Sequence, residues 1–81
     1  MIKQKLANDL TTPPEMLDVL SNDEEWRVRY LVANNPNAQP ETLETLSNDE
    51  DWFVRSNVAD NPNTPKYIKN YFYYQDYLNL L

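Results

Sequence analysis

Apolar residues recur along this chain at helical rather than strand spacing. Leu17 and Leu20 sit three apart, as do Leu43 and Leu46, so each pair shares one face of a short helix. Val28 and Val32, and again Val54 and Val58, stand four apart and mark a buried stripe on a second helix. That helix is predicted over Trp26–Ala33 and Trp52–Ala59. Pro14 and Pro40 open the first helix of each pair, where a residue without an N–H is well tolerated. The first helix is only about two turns long, and both α and 3₁₀ geometry fit it. No segment sustains the alternation of a strand, so the pattern predicts an all-α domain without a sheet.

The helix pairs are copies of one another. Shifted by 26 residues, Pro14–Gln39 falls on Pro40–Pro65 with 16 identities in 26 positions. The register continues on both sides: Ile2 aligns with Val28 and Val54, Leu6-Ala7-Asn8-Asp9 with Val32-Ala33-Asn34-Asn35, and Asn61-Pro62-Asn63-Thr64-Pro65 begins a further copy. The expected organisation is a single domain over 1–81. It comprises a partial repeat (1–13), two full repeats (14–39 and 40–65), and a partial repeat with an aromatic capping helix (66–81).

The connections carry their own signals. Ser-Asn-Asp at 21–23 and 47–49 offers capping side chains, and the acidic residues after it are expected in the first turn of the second helix. Each second helix stops at an asparagine-rich turn, Asn34-Asn35-Pro36-Asn37 or Asp60-Asn61-Pro62-Asn63. The proline there pushes the preceding residue towards extended backbone. The chain has no glycine, so asparagine is expected to supply the left-handed residue that often ends a helix.

The recurring N-P-N-x-x-P-E-x-L-x-x-L-S-N-D-x-D/E-W-x-V-R-x-x-V-A resembles the leucine-rich repeat variant family and, more loosely, HEAT-like repeats. The resemblance reaches to about Phe72. It implies a short right-handed α-solenoid in which α- and 3₁₀-helices alternate, and a module that binds proteins. Some members of the family are associated with a cysteine-ligated iron–sulfur cluster in a separate N-terminal segment. This chain has no cysteine, so that property is not carried over.

Composition narrows the function. With 13 acidic and 7 basic residues the net charge is −6, which argues against a phosphate backbone or an anionic membrane as the partner. The chain lacks histidine as well as cysteine, so the usual zinc and haem ligands and the His-activated nucleophiles are missing. No catalytic, cofactor-binding or metal-binding residue is assigned, no cofactor is expected, and the chain is read as non-enzymatic. Asp23-Glu24-Glu25 and Asp49-Glu50-Asp51 lack the alternating spacing and the glycine of a calcium loop. The N-terminus has no apolar signal region, and the expected compartment is the cytoplasm.

Trp26 and Trp52 recur beside the core valines and are expected to pack between repeats. Arg29 and Arg55 are expected to tie a carboxylate or carbonyl of a neighbouring repeat, Asp23 and Asp49 being the nearest choices. Positions that differ between copies are better candidates for recognition, because a partner that does not repeat imposes no repetition. On the second helices these are Arg27/Phe53, Tyr30/Ser56 and Leu31/Asn57. In the tyrosine-rich segment 67–81, Ile68, Tyr71, Phe72, Leu78 and Leu81 can form one capping stripe. Tyr73, Tyr77 and Leu80 form a second stripe that suits a homodimer or partner contact. The expected function is a mini-solenoid presenting a helical face to a protein partner. A self-assembling homodimer or an acidic mimic of nucleic acid are the alternatives.

Overall fold

A computed structural model describes residues 2–79, apart from the side chains at 76, 77 and 79. It contains α1 (Ile2–Asn8), α2 (Pro14–Leu20), α3 (Trp26–Asn34), α4 (Pro40–Leu46), α5 (Trp52–Asp60) and α6 (Lys66–Asn79). All six are α-helices, and no strand occurs among the described residues.

The alternation with 3₁₀-helices that the family resemblance implied is therefore not found. The Pro13 and Gln39 carbonyls accept from the N–H groups of Leu17 and Leu43 at 3.1 and 3.0 Å, closing full α-turns at the helix starts. Pro14 and Pro40 take the first helical positions, as expected. At the other end Ser21 and Ser47 cap the two helices, each hydroxyl donating back to a carbonyl of the last turn, Asp18 or Glu44.

Helices α1, α3 and α5 stack side by side as a spine, with α3 packed most extensively on α5 and then on α1. The seven-residue α2 and α4 fill the angles between spine helices, and α6 leans on α5. The molecule is elongated, with extents of 43 × 21 × 15 Å. Its core is a single thread of aliphatic residues: Ala7, Leu17, Leu20, Val28, Val32, Ala33, Ala38, Leu43, Leu46, Val54, Val58 and Ile68. The recurring leucines and valines are nearly inaccessible to solvent, as their spacing predicted.

Two expectations about the helix ends need correction. No described residue has positive φ, so asparagine ends no helix through left-handed backbone. Asn35 (φ −81°, ψ 126°) and Asn61 (φ −75°, ψ 130°) are extended because Pro36 and Pro62 follow them. The acidic residues also precede the second helices rather than occupying their first turns. Glu25 and Asp51 are the N-cap residues. Asp23 and Asp49 fold the approach by accepting from the N–H groups of Glu25 and Asp51, at 3.0 and 2.9 Å.

The freed asparagine side chains tie one repeat to the next. Asn35 Nδ2 donates to the carbonyls of Ala7 (2.9 Å) and Asp9 (3.0 Å), and its Oδ1 accepts from the Asn37 N–H (2.9 Å). Twenty-six residues on, Asn61 Nδ2 donates to Ala33 (2.8 Å) and Asn35 (3.0 Å) while Oδ1 accepts from Asn63 (2.8 Å). Asn37 and Asn63 make matching bonds to the preceding turn, at Leu10 and Thr12 or Pro36 and Ala38. Asp9, in the same register, uses its carboxylate only to accept from Thr11. These bonds satisfy the loop carbonyls at the helix ends, and no buried side-chain polar atom among the described residues lacks a partner.

Candidate functional site

A second ladder, of charge, runs along the spine. Lys3, Arg29 and Arg55 share one register position, and Asp23, Asp49 and Gln75 share another. Lys3 Nζ meets Asp23 at 3.0 Å, and Arg29 Nε meets Asp49 at 2.8 Å. Arg29 also directs Nη1 at the Asp23 and Glu24 carbonyls, at 2.7 and 3.0 Å. The planar guanidinium thus clamps the loop before its own helix and the next repeat together. Its hydrogen bond to Asp49 holds Arg29 above the usual arginine pKa. The Glu25 N–H, and then Lys3, hold the Asp23 carboxyl below the usual carboxylate range.

Arg55 keeps only the local half of this arrangement, donating Nη1 to the Asp49 carbonyl. No ion pair among the described residues involves it. The expected scaffold role of arginine therefore describes Arg29 in full and Arg55 in part.

The aromatic residues divide in the same way. Trp26 is half-buried against the core, with Tyr30 edge-on at 5.8 Å, Phe53 of the next repeat stacked at 5.5 Å (26° between planes), and the Arg27 guanidinium 5.0 Å from its centre. Trp52, at the same repeat position, is 64% exposed and touches Phe53 edge-on at 5.5 Å. Packing between repeats was expected for both tryptophans, but only Trp26 has it. The reason is that α6 runs on as one helix through Asn79, so among the described residues no further spine helix lies on α5 as α5 lies on α3.

Tyr30, Trp26, Phe53 and Trp52 consequently form a continuous ribbon of four rings along the spine. Three of the residues singled out from sequence, Arg27, Tyr30 and Phe53, gather on this ribbon around Trp26. Leu31 and Asn57 lie lower, between the stacked helices. Leu31 packs on the core, and Asn57 Nδ2 donates to the Tyr30 carbonyl at 3.0 Å. Ser56 lines a groove beside Trp52 and Arg55.

On α6, Ile68 is buried and Phe72 half-buried, but Tyr71 and Leu78 are exposed, so the capping stripe is narrower than expected. Tyr73 is also exposed and meets Tyr74 edge-on at 5.4 Å. Leu80 and Leu81 lie outside the described residues, as does the side chain of Tyr77.

Several carboxylates are engaged inside the scaffold. Asp9 receives Thr11, Asp18 receives Thr42, Glu25 receives Gln4, and Asp23 and Asp49 meet Lys3 and Arg29. Among the described residues no group of three or more carboxylates is placed to hold a metal ion. No helix among them is long and apolar enough to cross a membrane.

Residues 26–51 match the model of the leucine-rich repeat variant family. The matched window covers α3, the asparagine turn, α4 and the acidic approach to α5, one full period of the 26-residue register. It bears out, over that window, the resemblance carried by the N-P-N…W-x-V-R motif. No curated protein and no solved structure matches the chain. The asparagine and arginine ladders join successive repeats, and so does the Trp26–Phe53 stack of the aromatic ribbon, whereas Trp52 is left exposed beside Phe53.

Proposed function

We propose that this chain is a non-enzymatic protein-interaction module whose recognition surface is the aromatic ribbon Tyr30–Trp26–Phe53–Trp52, flanked by Arg27. Variant repeats form helical modules of a kind typically engaged in protein interaction. The observation that carries the finer reading is the exposure of Trp52 and Phe53, 64% and 54%, in contact with each other on a rigid spine. Large rings held by neighbours lose little conformational freedom on binding, and tryptophan, tyrosine and arginine dominate binding hot spots.

The test compares proteins retained from an extract of the native cell by the wild-type chain and by Trp52→Lys and Phe53→Lys. Partners are expected to be retained by wild type and lost from both variants. Retention indifferent to the two substitutions would overturn the reading.

A homodimer is the second reading, and one observation favours it. Helix α6 exposes Tyr67, Tyr71, Tyr73, Tyr74 and Leu78 together, more apolar surface than a terminal cap requires. Light scattering over a wide concentration range addresses it, with Tyr73→Lys expected to dissociate any dimer. A monomer at the highest concentration would remove this second reading.

A further inference from the structure

Two grooves on this molecule are copies of each other, one with its arginine paired to a carboxylate and one without such a pair among the described residues. The inner groove is lined by Asn22, Asp23, Arg29 and Leu46, and Asp49 projects into it to meet Arg29. Displaced by 26 residues, the outer groove, about 470 Å³ against about 600 Å³ for the inner one, is lined by Asn48, Asp49, Arg55 and Phe72, and Gln75 of its lining shares the sequence register of Asp49 without a bond to Arg55. Trp52, Ser56 and Ala59 also line the outer groove. Their counterparts Trp26, Tyr30 and Ala33 do not line the inner one, because α5 lies across them.

The difference comes from α6. Where α2 and α4 stop at Ser21 and Ser47 and the chain turns into an acidic loop and a spine helix, α6 continues as helix through Asn79. The position that α5 holds against α3 is therefore not taken by residues 73–79 against α5.

Resting on the interaction-module reading above, we infer that the outer groove accepts a segment of another protein that enters a helix with a carboxylate followed four residues later by an aromatic side chain. The carboxylate would lie on Arg55 as Asp49 lies on Arg29, and the ring on Trp52 as Phe53 lies on Trp26. The inner groove thus supplies the template for the occupant: Nε and Nη2 of Arg29 grip the two Asp49 oxygens at 2.8 and 3.3 Å, and the rings stack at 5.5 Å. Arg55 is already oriented, since its Nη1 bond to the Asp49 carbonyl repeats that of Arg29 to Asp23. A pre-positioned guanidinium facing no carboxylate among the described residues, next to an exposed indole, favours an acidic and aromatic segment over a basic or purely aliphatic one. A second copy of this chain is a poorer occupant. Its α1 carries Lys3 and Lys5, cations like Arg55, at the register positions of Arg29 and Leu31.

The probe is a labelled peptide of the chain's own Ser47–Asp60, the segment that carries Asp49 and Phe53. Its binding to the full chain is followed by fluorescence anisotropy up to about 1 mM protein, the limit of useful affinity. Saturable binding is expected, weakened about tenfold or more by Asp49→Asn or Phe53→Ala in the peptide and by Arg55→Gln in the protein. Arg55→Lys keeps the charge but loses the fork and should recover part of the affinity. Thermal melts followed by circular dichroism verify the protein variants. If Arg55→Gln does not fold, the Asp49→Asn peptide makes the same comparison on unaltered protein.

Absence of saturable binding, or binding indifferent to Asp49→Asn, would overturn the inference. So would an Arg55-dependent dimer that excludes the peptide. Loss of peptide binding with retention of Trp52-dependent partners would remove this occupant alone. A peptide that binds while no partner depends on Trp52 would instead support the groove and remove the broader function.

Discussion

Replacing Asn61 tests what holds the repeats together. Its side chain is buried, 2% exposed, and makes three hydrogen bonds: two donated to the Ala33 and Asn35 carbonyls of the preceding repeat and one accepted from Asn63. Asn61→Ala deletes all three and leaves two buried carbonyls without these donors. At about 1 kcal/mol per bond, the expected cost is about 3 kcal/mol. Total stability for a chain of this size is about 4–12 kcal/mol, so the loss is a large share. The melting temperature should fall by about 12–24 °C.

Asn61→Asp separates this account from simple loss of packing. The aspartate is nearly isosteric, but when ionised it cannot donate and would turn a carboxylate oxygen on two carbonyls. It should be at least as damaging as alanine at neutral pH, and should recover in part when acid protonates it. Thermal and urea denaturation of the three proteins give the comparison. An alanine cost below about 0.5 kcal/mol, the scatter of ordinary surface substitutions, would refute the reasoning, as would an aspartate milder than alanine at neutral pH.

The Arg29–Asp49 pair is nearly enclosed, with side chains 11% and 8% exposed, so Arg29→Gln is expected to cost about 3 kcal/mol by urea denaturation. A double-mutant cycle with Asp49→Asn should show clear coupling, whereas additive losses would contradict the clamp. Asp9 and Asp23 have carboxyls held below the usual range, by Thr11 and by Glu25 with Lys3 respectively. Both are bound less readily by protons when folded, so their stabilisation is present above about pH 4 and is lost as pH falls through the folded-state values. An acid titration of the melting temperature should bend downward there, and Asp23→Asn should soften the bend. Trp26→Ala should cost about 2–3 kcal/mol and Trp52→Ala less than about 0.5, read from paired thermal melts. Equal costs would mean that the two tryptophans do the same work.

Much of the fold was legible because burial and repetition both leave periodic marks. Leu17, Leu20, Val28 and Val32 and their copies were readable as core from spacing alone, and the prolines fixed where helices begin. The asparagines were recognised as turn residues but assigned the wrong task. Periodicity shows that Asn35 and Asn61 recur, yet their bonds span 26 to 28 residues and connect to backbone carbonyls, which carry no sequence signal. Tyr30 and Phe53 were singled out by their differences between copies, and both lie on the aromatic ribbon. Leu31 and Asn57 share that signal although they lie between stacked helices, because unlike pairs can also fit together in packing. Trp52 was missed as a surface residue for a simple reason. Its identity matches Trp26, and its exposure depends on what the chain places one period later. The substitution of Asn79 at the Phe53 position and Gln75 at the Asp49 position was the available clue.

The most direct test of the interaction surface is an amide hydrogen-exchange footprint of the chain with and without a captured partner. The account predicts added protection at Trp26–Tyr30 and Trp52–Ser56, at the start of the two spine helices that carry the ribbon. Protection confined to Lys66–Asn79, or none in the spine helices, would contradict it.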